Sequence, residues 1–85
     1  MKLLIGDQAR EDLAYWNRHD QAKTRRIRAL LADITRTPYS GLGKPEPLKY
    51  DLAGYWSRRI DREHRLVYKV AGDTLYVASC RFHYE

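Results

Sequence analysis

The heptapeptide GKPEPLK (residues 43–49) holds one carboxylate, Glu46, between two prolines and inside two lysines, Lys44 and Lys49. Pro45 and Pro47 fix φ on either side of it and remove two backbone donors. A residue before proline is pushed toward extended backbone, so Lys44 and Glu46 are both expected to be extended. The surrounding positive charge favours the ionised acid and would draw in a phosphate. Arg59, Arg65, Arg81 and His83 follow in the C-terminal half. Arginine meets a phosphate bidentately, and histidine gives or takes a proton near neutral pH. Base, acid and guanidiniums together suit metal-free RNA strand cleavage. A base takes the proton from a ribose 2′-OH, whose oxygen attacks the adjacent phosphorus. Arginines stabilise charge on the phosphoryl oxygens, and an acid protonates the departing 5′-oxygen. Glu46 and His83 come from different segments, as base and acid must.

A metal-dependent route would want clustered carboxylates. The one acidic pair near the basic residues is Asp61 and Glu63, in a turn. No metal or other cofactor is called for. Each candidate also has a plainer reading. Glu46 could be a charged turn residue, and the arginines a solvated sheet face. His64 suits packing or a cross-strand hydrogen bond, His19 a solvated connection, and Cys80 a small core position. Lys23, Arg25, Arg26 and Arg28 form a basic stripe, which is either a charged helix face or a contact for RNA backbone, ribosomal RNA included. Tyr84 is either terminal packing or a base-stacking platform.

The elements that must position these residues are legible from periodicity. LLI (3–5) reads as a short buried strand, with Gly6–Asp7 as a break. Ala9, Leu13 and Trp16 recur at helical spacing from Gln8 to about Arg18. Asp20 can cap a second helix whose Ile27, Leu30, Leu31 and Ile34 fall at i, i+3, i+4, i+7. Pro38 ends it. Residues 38–54 carry three prolines and three glycines and must be loop or edge strand. The period then changes to two in YWSRRI (55–60), RLVYKV (65–70) and TLYVASCRFH (74–83), joined by short connections as an antiparallel meander. The expected class is α+β: an N-terminal strand and a helical hairpin packed on one face of a small, mainly antiparallel sheet.

Alternation sorts the strands by face. Leu66, Tyr68 and Val70 oppose Arg65, Val67 and Lys69. Tyr76, Ala78, Cys80 and Phe82 oppose Val77, Ser79, Arg81 and His83. Trp56 and Ile60 oppose Tyr55, Ser57 and Arg59. With the apolar sets against the helices, Arg59, Arg65, Arg81 and His83 gather on the open face. Arg58 shares Trp56's parity and is expected at a sheet margin or bulge.

Composition bounds the partners. Eighty-five residues make one domain with a modest core. Sixteen Lys and Arg against eleven Asp and Glu give net +5, which favours a polyanionic partner. One cysteine excludes an internal disulfide and a cysteine zinc site, and suits a reducing cytoplasm. No stretch approaches the ~20 apolar residues of a membrane span.

The string GLGKPEPLKYDLAGYWSRRIDREHRLVYKV (41–70) and the later CRFHY resemble the YoeB/Txe family of bacterial type II toxins, ribosome-dependent endoribonucleases of toxin–antitoxin pairs. DLAYW (12–16) and TRTP (35–38) fit the same pattern. The resemblance implies a microbial-ribonuclease-like fold and cleavage of messenger RNA in the decoding site of the 70S ribosome. It implies Glu46 as general base, Arg65 as phosphate stabiliser, His83 as general acid, and Tyr84 orienting or stacking on the RNA. Lys49 and Arg59 match positions that contact the scissile phosphate or its neighbours. Lys44 and Arg81 add RNA-binding charge. A cognate antitoxin and a homodimer are implied as protein partners. The chain departs from the pattern at Ile5–Gly6, where relatives often carry Trp-Ser, at Arg10, where tryptophan is common, and at the extra Glu85. The residues themselves also allow a basic ribosome- or RNA-binding module that blocks translation without cutting. A third reading is an acidic-protein-binding module that acts only within a DNA-bound repressor complex.

Overall fold

A computed structural model describes residues 1–82; His83, Tyr84 and Glu85 lie outside the described residues. The elements run β1 (Lys2–Ile5), α1 (Asp7–His19), α2 (Gln21–Arg36), β2 (Glu46–Pro47), a one-turn 3₁₀ helix (Tyr50–Leu52), β3 (Trp56–Arg59), β4 (Arg65–Ala71) and β5 (Thr74–Ser79). The strands form one sheet in the order β1-β5-β4-β3-β2. β1 pairs parallel with β5, and every other neighbouring pair is antiparallel. The chain is thus α+β, two helices on a five-stranded mixed sheet, as the periodicity predicts.

Asp20 alone connects the helices. Its N–H donates to Trp16 O at 2.8 Å, closing α1, and its carboxylate accepts from Ala22 N at 3.1 Å, opening α2. Ala9 and Trp16 from α1 meet Ile27, Leu30 and Ile34 from α2 over Leu66, Tyr68, Leu75, Val77 and Cys80 of the sheet side. Fully burying one such side chain contributes ~1.5–3 kcal/mol. Trp16 satisfies its indole N–H on Cys80 O at 2.8 Å. Gly6 precedes α1 because a Cβ there would come within 2.5 Å of the Tyr76 hydroxyl.

Several expectations are corrected. LLI is not buried. β1 is an edge strand with a neighbour on one side only, and Leu3 and Leu4 are about half exposed. β5 ends at Ser79 rather than running to residue 83, and Phe82 takes a left-handed φ of +67°. The face sorting fails in the first half of β5. Val67 pairs with Ser79 but Tyr68 pairs with Val77, so Ala78 is bulged out. The extra residue reverses the alternation. Leu75 and Val77 enter the core before the bulge and Cys80 after it, while Tyr76 turns to the open face. There Lys69 Nζ lies 4.9 Å from the Tyr55 ring centroid and 5.9 Å from that of Tyr76.

Arg58 is at neither a margin nor a bulge. It is wholly buried in β3, on the helix side. Its guanidinium donates to Asp33 Oδ2 (2.6 Å) on α2, to the carbonyls of Thr37 (2.6 Å), Ser40 (2.9 Å) and Leu42 (3.1 Å), and to the Tyr68 hydroxyl (3.2 Å). The core position is tolerable because the charge is paired and its donors are satisfied. One side chain thereby fastens the loop that leads to β2.

Candidate active site on the open sheet face

Cross-strand partners share a face. Glu46 pairs with Ser57, Ser57 with Val67, and Val67 with Ser79, so one row of side chains crosses β2, β3, β4 and β5. Arg59 pairs with Arg65 in the next row. Two residues along β3 separate the rows, about 7 Å. The sheet therefore brings Glu46, Arg59 and Arg65 onto one surface, opposite the helices. Glu46 and Arg59 are exposed there, and Arg65 is partly buried. Ser57 and Val67 are buried between them and give the row a firm base.

Local structure explains how Glu46 is held. Leu48, buried, donates its N–H to Tyr55 O at 2.9 Å and locks the start of the β2–β3 connection. Upstream, Gly43 O accepts from Arg59 N at 2.7 Å. Gly43 adopts φ +78°, and a Cβ there would lie 3.0 Å from both Arg59 O and a Leu30 methyl. Glu46 is extended, as its position before Pro47 predicts. Lys44 is not. Its φ is +53°, because the chain must turn from Gly43 into the strand. Lys44 and Lys49 are both exposed and bracket the carboxylate. A cleft of about 340 Å³ opens between Glu46 and Leu52, bordered by Lys49, Tyr50 and Asp51.

Arg81 does not join Arg59 and Arg65. Because the strand has ended, its guanidinium turns to α1 and lies 3.4 Å from the Tyr15 ring centroid, with the Phe82 ring at 4.4 Å. The stripe on α2 is split. Arg25 and Arg28 are exposed. Lys23 binds Asp61 at 3.1 Å and Asp20 at 3.6 Å, and Arg26 donates to Arg59 O at 3.3 Å. The hydrogen bond to Asp61 holds the Lys23 pKa above its ordinary value, against partial desolvation. Burial pushes Asp61 upward, but bonds from the His64 and Glu63 N–H groups and from Lys23 outweigh it and leave it below the usual carboxylate range.

His64 has the structural use that its position suggests. The ring is buried edge-on to Trp16, with centroids 4.8 Å apart. Nδ1 accepts from Phe82 N at 2.7 Å, and Arg65 N donates to Phe82 O at 3.1 Å. Residue 82 is thus clamped to the start of β4, beside Arg65. His83 and Tyr84 follow it in sequence, outside the described residues.

Two features escaped the sequence reading. One is the buried ion pair: Asp33, among Leu30 and Ile34 on the buried stripe of α2, was not singled out, and Arg58's core parity in β3 was seen but assigned to a margin or bulge. Two opposite charges at apolar positions were the available signal. Tyr50, exposed beside the cleft, had none in the spacing.

A family model for the YoeB-like toxin of bacterial type II toxin–antitoxin systems matches residues 6–84. Toxin YoeB of Escherichia coli K12 is 50% identical over 84 residues, 99% of this chain and 100% of the relative. A YoeB/ParE toxin structure from Agrobacterium tumefaciens superposes with a TM-score of 0.96 at 51% identity, covering 99% of this chain and 100% of that one. YoeB of Staphylococcus aureus, 44% identical, is solved as a dimer (TM-score 0.93) and in a heterotetrameric complex with YefM (0.91). Each comparison covers 99% of this chain and 98% of that one. With a family model matched over residues 6–84, a relative 50% identical along its full length and a solved fold that superposes at a TM-score of 0.96, the protein belongs to the YoeB family of bacterial type II toxins.

Proposed function

We propose that this toxin is a ribosome-dependent, metal-independent endoribonuclease that cuts messenger RNA in the decoding site and so stops translation. The observation that carries the reading is the register: Glu46 opposite Ser57, one row from the Arg59–Arg65 pair, on the sheet face that the helices leave open. A surface that only held RNA would need the guanidiniums and lysines but no rigid carboxylate among them. In this reading the arginines hold the phosphate and the carboxylate meets the neighbouring 2′-OH.

In this mechanism Glu46 takes the 2′-OH proton as the oxygen attacks phosphorus. Arg65, with Arg59, stabilises the charge that grows on the phosphoryl oxygens. Lys49 and Lys44 hold flanking phosphates. His83 protonates the departing 5′-oxygen, and Tyr84 orients or stacks on the RNA. The products carry a 5′-hydroxyl and a 2′,3′-cyclic or 3′-phosphate. The guanidinium and carboxylate groups supply charge stabilisation and proton transfer from the chain itself. Arg25 and Arg28, exposed on α2, are available to ribosomal RNA; Lys23 and Arg26 would add to that surface from positions already bonded within the fold. Arg81, stacked on Tyr15, would bind RNA only at the α1 margin.

The partners follow from the same reading. A cognate antitoxin binds the toxin, as YefM binds the S. aureus relative, and in this reading it masks the site; the toxin pairs with itself as that relative does. Action on ribosomes places it in the cytoplasm. Among the described residues no helix is long and apolar enough to cross a membrane.

The test is expression of the wild type, Glu46→Ala and His83→Ala, with messenger 5′ ends mapped by primer extension. New 5′ ends inside translated frames are expected for the wild type alone. Arrested translation with intact transcripts would instead identify a non-cutting module.

A further inference from the structure

We propose that Tyr50 is a stacking platform for a nucleobase beside the scissile phosphate, which makes the cleft between Glu46 and Leu52 a nucleotide subsite. The proposal rests on the RNA-cleavage reading above. Tyr50 stands at the tip of the β2–β3 connection with 91% of its surface exposed. A single exposed aromatic is ordinary by itself. This one also sits at φ +58°, a left-handed conformation that is an outlier for a bulky residue. Strain of that kind is commonly offset by packing, yet this ring is in solvent. The turn needs nothing from the side chain. Its bonds, Leu52 N to Lys49 O at 3.1 Å and Ala53 N to Tyr50 O at 3.0 Å, are backbone bonds that glycine would make with less strain. The fold therefore keeps an aromatic ring in the open at a local cost.

Its location says what the ring meets. Tyr50 and Glu46 border the same cleft, and Lys49 lies between them in sequence. An exposed ring next to a cation is the pairing that single-stranded RNA requires, because bases stack on the ring while the charge follows the backbone. Every base has a π-face, so such a platform accepts any base. It fixes the nucleotide's position relative to Glu46, not its identity.

The experiment uses ribosomes programmed with a defined messenger. Wild type, Tyr50→Phe, Tyr50→Leu and Tyr50→Gly are compared in single-turnover cleavage and in urea unfolding. Tyr50→Phe should cleave like the wild type. Tyr50→Leu and Tyr50→Gly should lose about ten- to a hundredfold in kcat/KM, the range for one base–aromatic stack. Tyr50→Gly should be at least as stable as the wild type, so activity and stability move apart. Unchanged cleavage by Tyr50→Leu, or activity that falls in step with stability, overturns the proposal. A second messenger carries 2′-O-methyl at the scissile ribose and 2-aminopurine on either side in turn. Wild type and Tyr50→Phe should quench the fluorophore at one of these positions, and Tyr50→Leu should not. If the wild type fails to cut the first messenger, the nuclease reading fails. Quenching of the second then still decides the stack: absent quenching sinks it, and ring-dependent quenching leaves it as a binding site.

Discussion

Arg58 Nη1 donates to Asp33 Oδ2 at 2.6 Å, and the pair joins α2 to β3 beneath the sheet. Neither residue belongs to the candidate site, yet the loop that delivers Glu46 hangs from them. Removing one partner of a buried pair leaves the other charge uncompensated, at a cost of ~3–5 kcal/mol. Arg58→Met should therefore lose that much in urea unfolding, a large share of a small domain's stability. A loss of under about 1 kcal/mol, the range of an exposed ion pair, would contradict the hub described here.

The same pair makes stability depend on acid. The Leu42 N–H, and then the Arg58 hydrogen bond, hold the Asp33 carboxyl below its ordinary value despite opposing desolvation. A lowered carboxylate contributes stability that is fully present above its unfolded value, about 4, and is lost as pH falls through the folded value. Wild-type stability should drop below about pH 4. Asp33→Asn is already weaker at neutral pH, and the gap between the two proteins should narrow on acidification. A constant gap across that range would mean that Asp33 does not titrate as described.

His64 offers a test of the clamp on Phe82. The Nδ1 acceptor, not the ring alone, should matter. His64→Asn can place an oxygen near Nδ1, whereas His64→Phe keeps the packing on Trp16 and leaves Phe82 N without that partner. Amide hydrogen exchange at Phe82 should accelerate in His64→Phe and stay slower in His64→Asn. Equal protection in both would assign the role to packing.

Cys80 should be inert. Burial, with the Asp12 charge adding to it, pushes its thiol up to about 12, and the thiolate is the reactive form. Iodoacetamide at neutral pH should modify it only after unfolding. Rapid alkylation of the native protein would place the thiol nearer solvent than its buried position allows.

The proline mount makes a kinetic prediction. Pro45→Ala with Pro47→Ala frees the backbone on both sides of Glu46, so turnover should fall more than RNA affinity. Parallel losses in the two would mean that the prolines serve the fold alone.

The helices were readable because Ile27, Leu30, Leu31 and Ile34 repeat a local period, and packing obeyed it. Glu46's strand was readable because proline restricts backbone without help from distant residues. One failure is local, since the turn from Gly43 overrides proline's restriction on Lys44; three others depend on partners far along the chain. The bulge at Ala78 reverses a period-two pattern that its own residues do not betray. Arg58 is buried because Asp33, 25 residues away, meets it. Arg81 left the open face because the strand stopped at Ser79 and Tyr15 lay within reach. Within the candidate site, alternation placed Arg59 and Arg65 on the open face, while Glu46 was joined to them by its chemistry and by the family resemblance rather than by spacing. Tyr50 was not, since neither its exposure nor its φ leaves a mark on spacing.

β2 forms the last strand of the sheet, and an uncovered last strand tends to recruit another chain. Leu48 N points inward to Tyr55 O, and amides alternate in direction along a strand. The nitrogens of residues 45 and 47 therefore face away from the sheet, and both are proline. The outer border of this strand offers no N–H at those two positions, so a foreign strand finds acceptors there without the matching donors. The two residues that stiffen Glu46 also make its edge a poor template for aggregation. Glu46 can thus sit on an outer strand without inviting another copy of the chain to add to the sheet there.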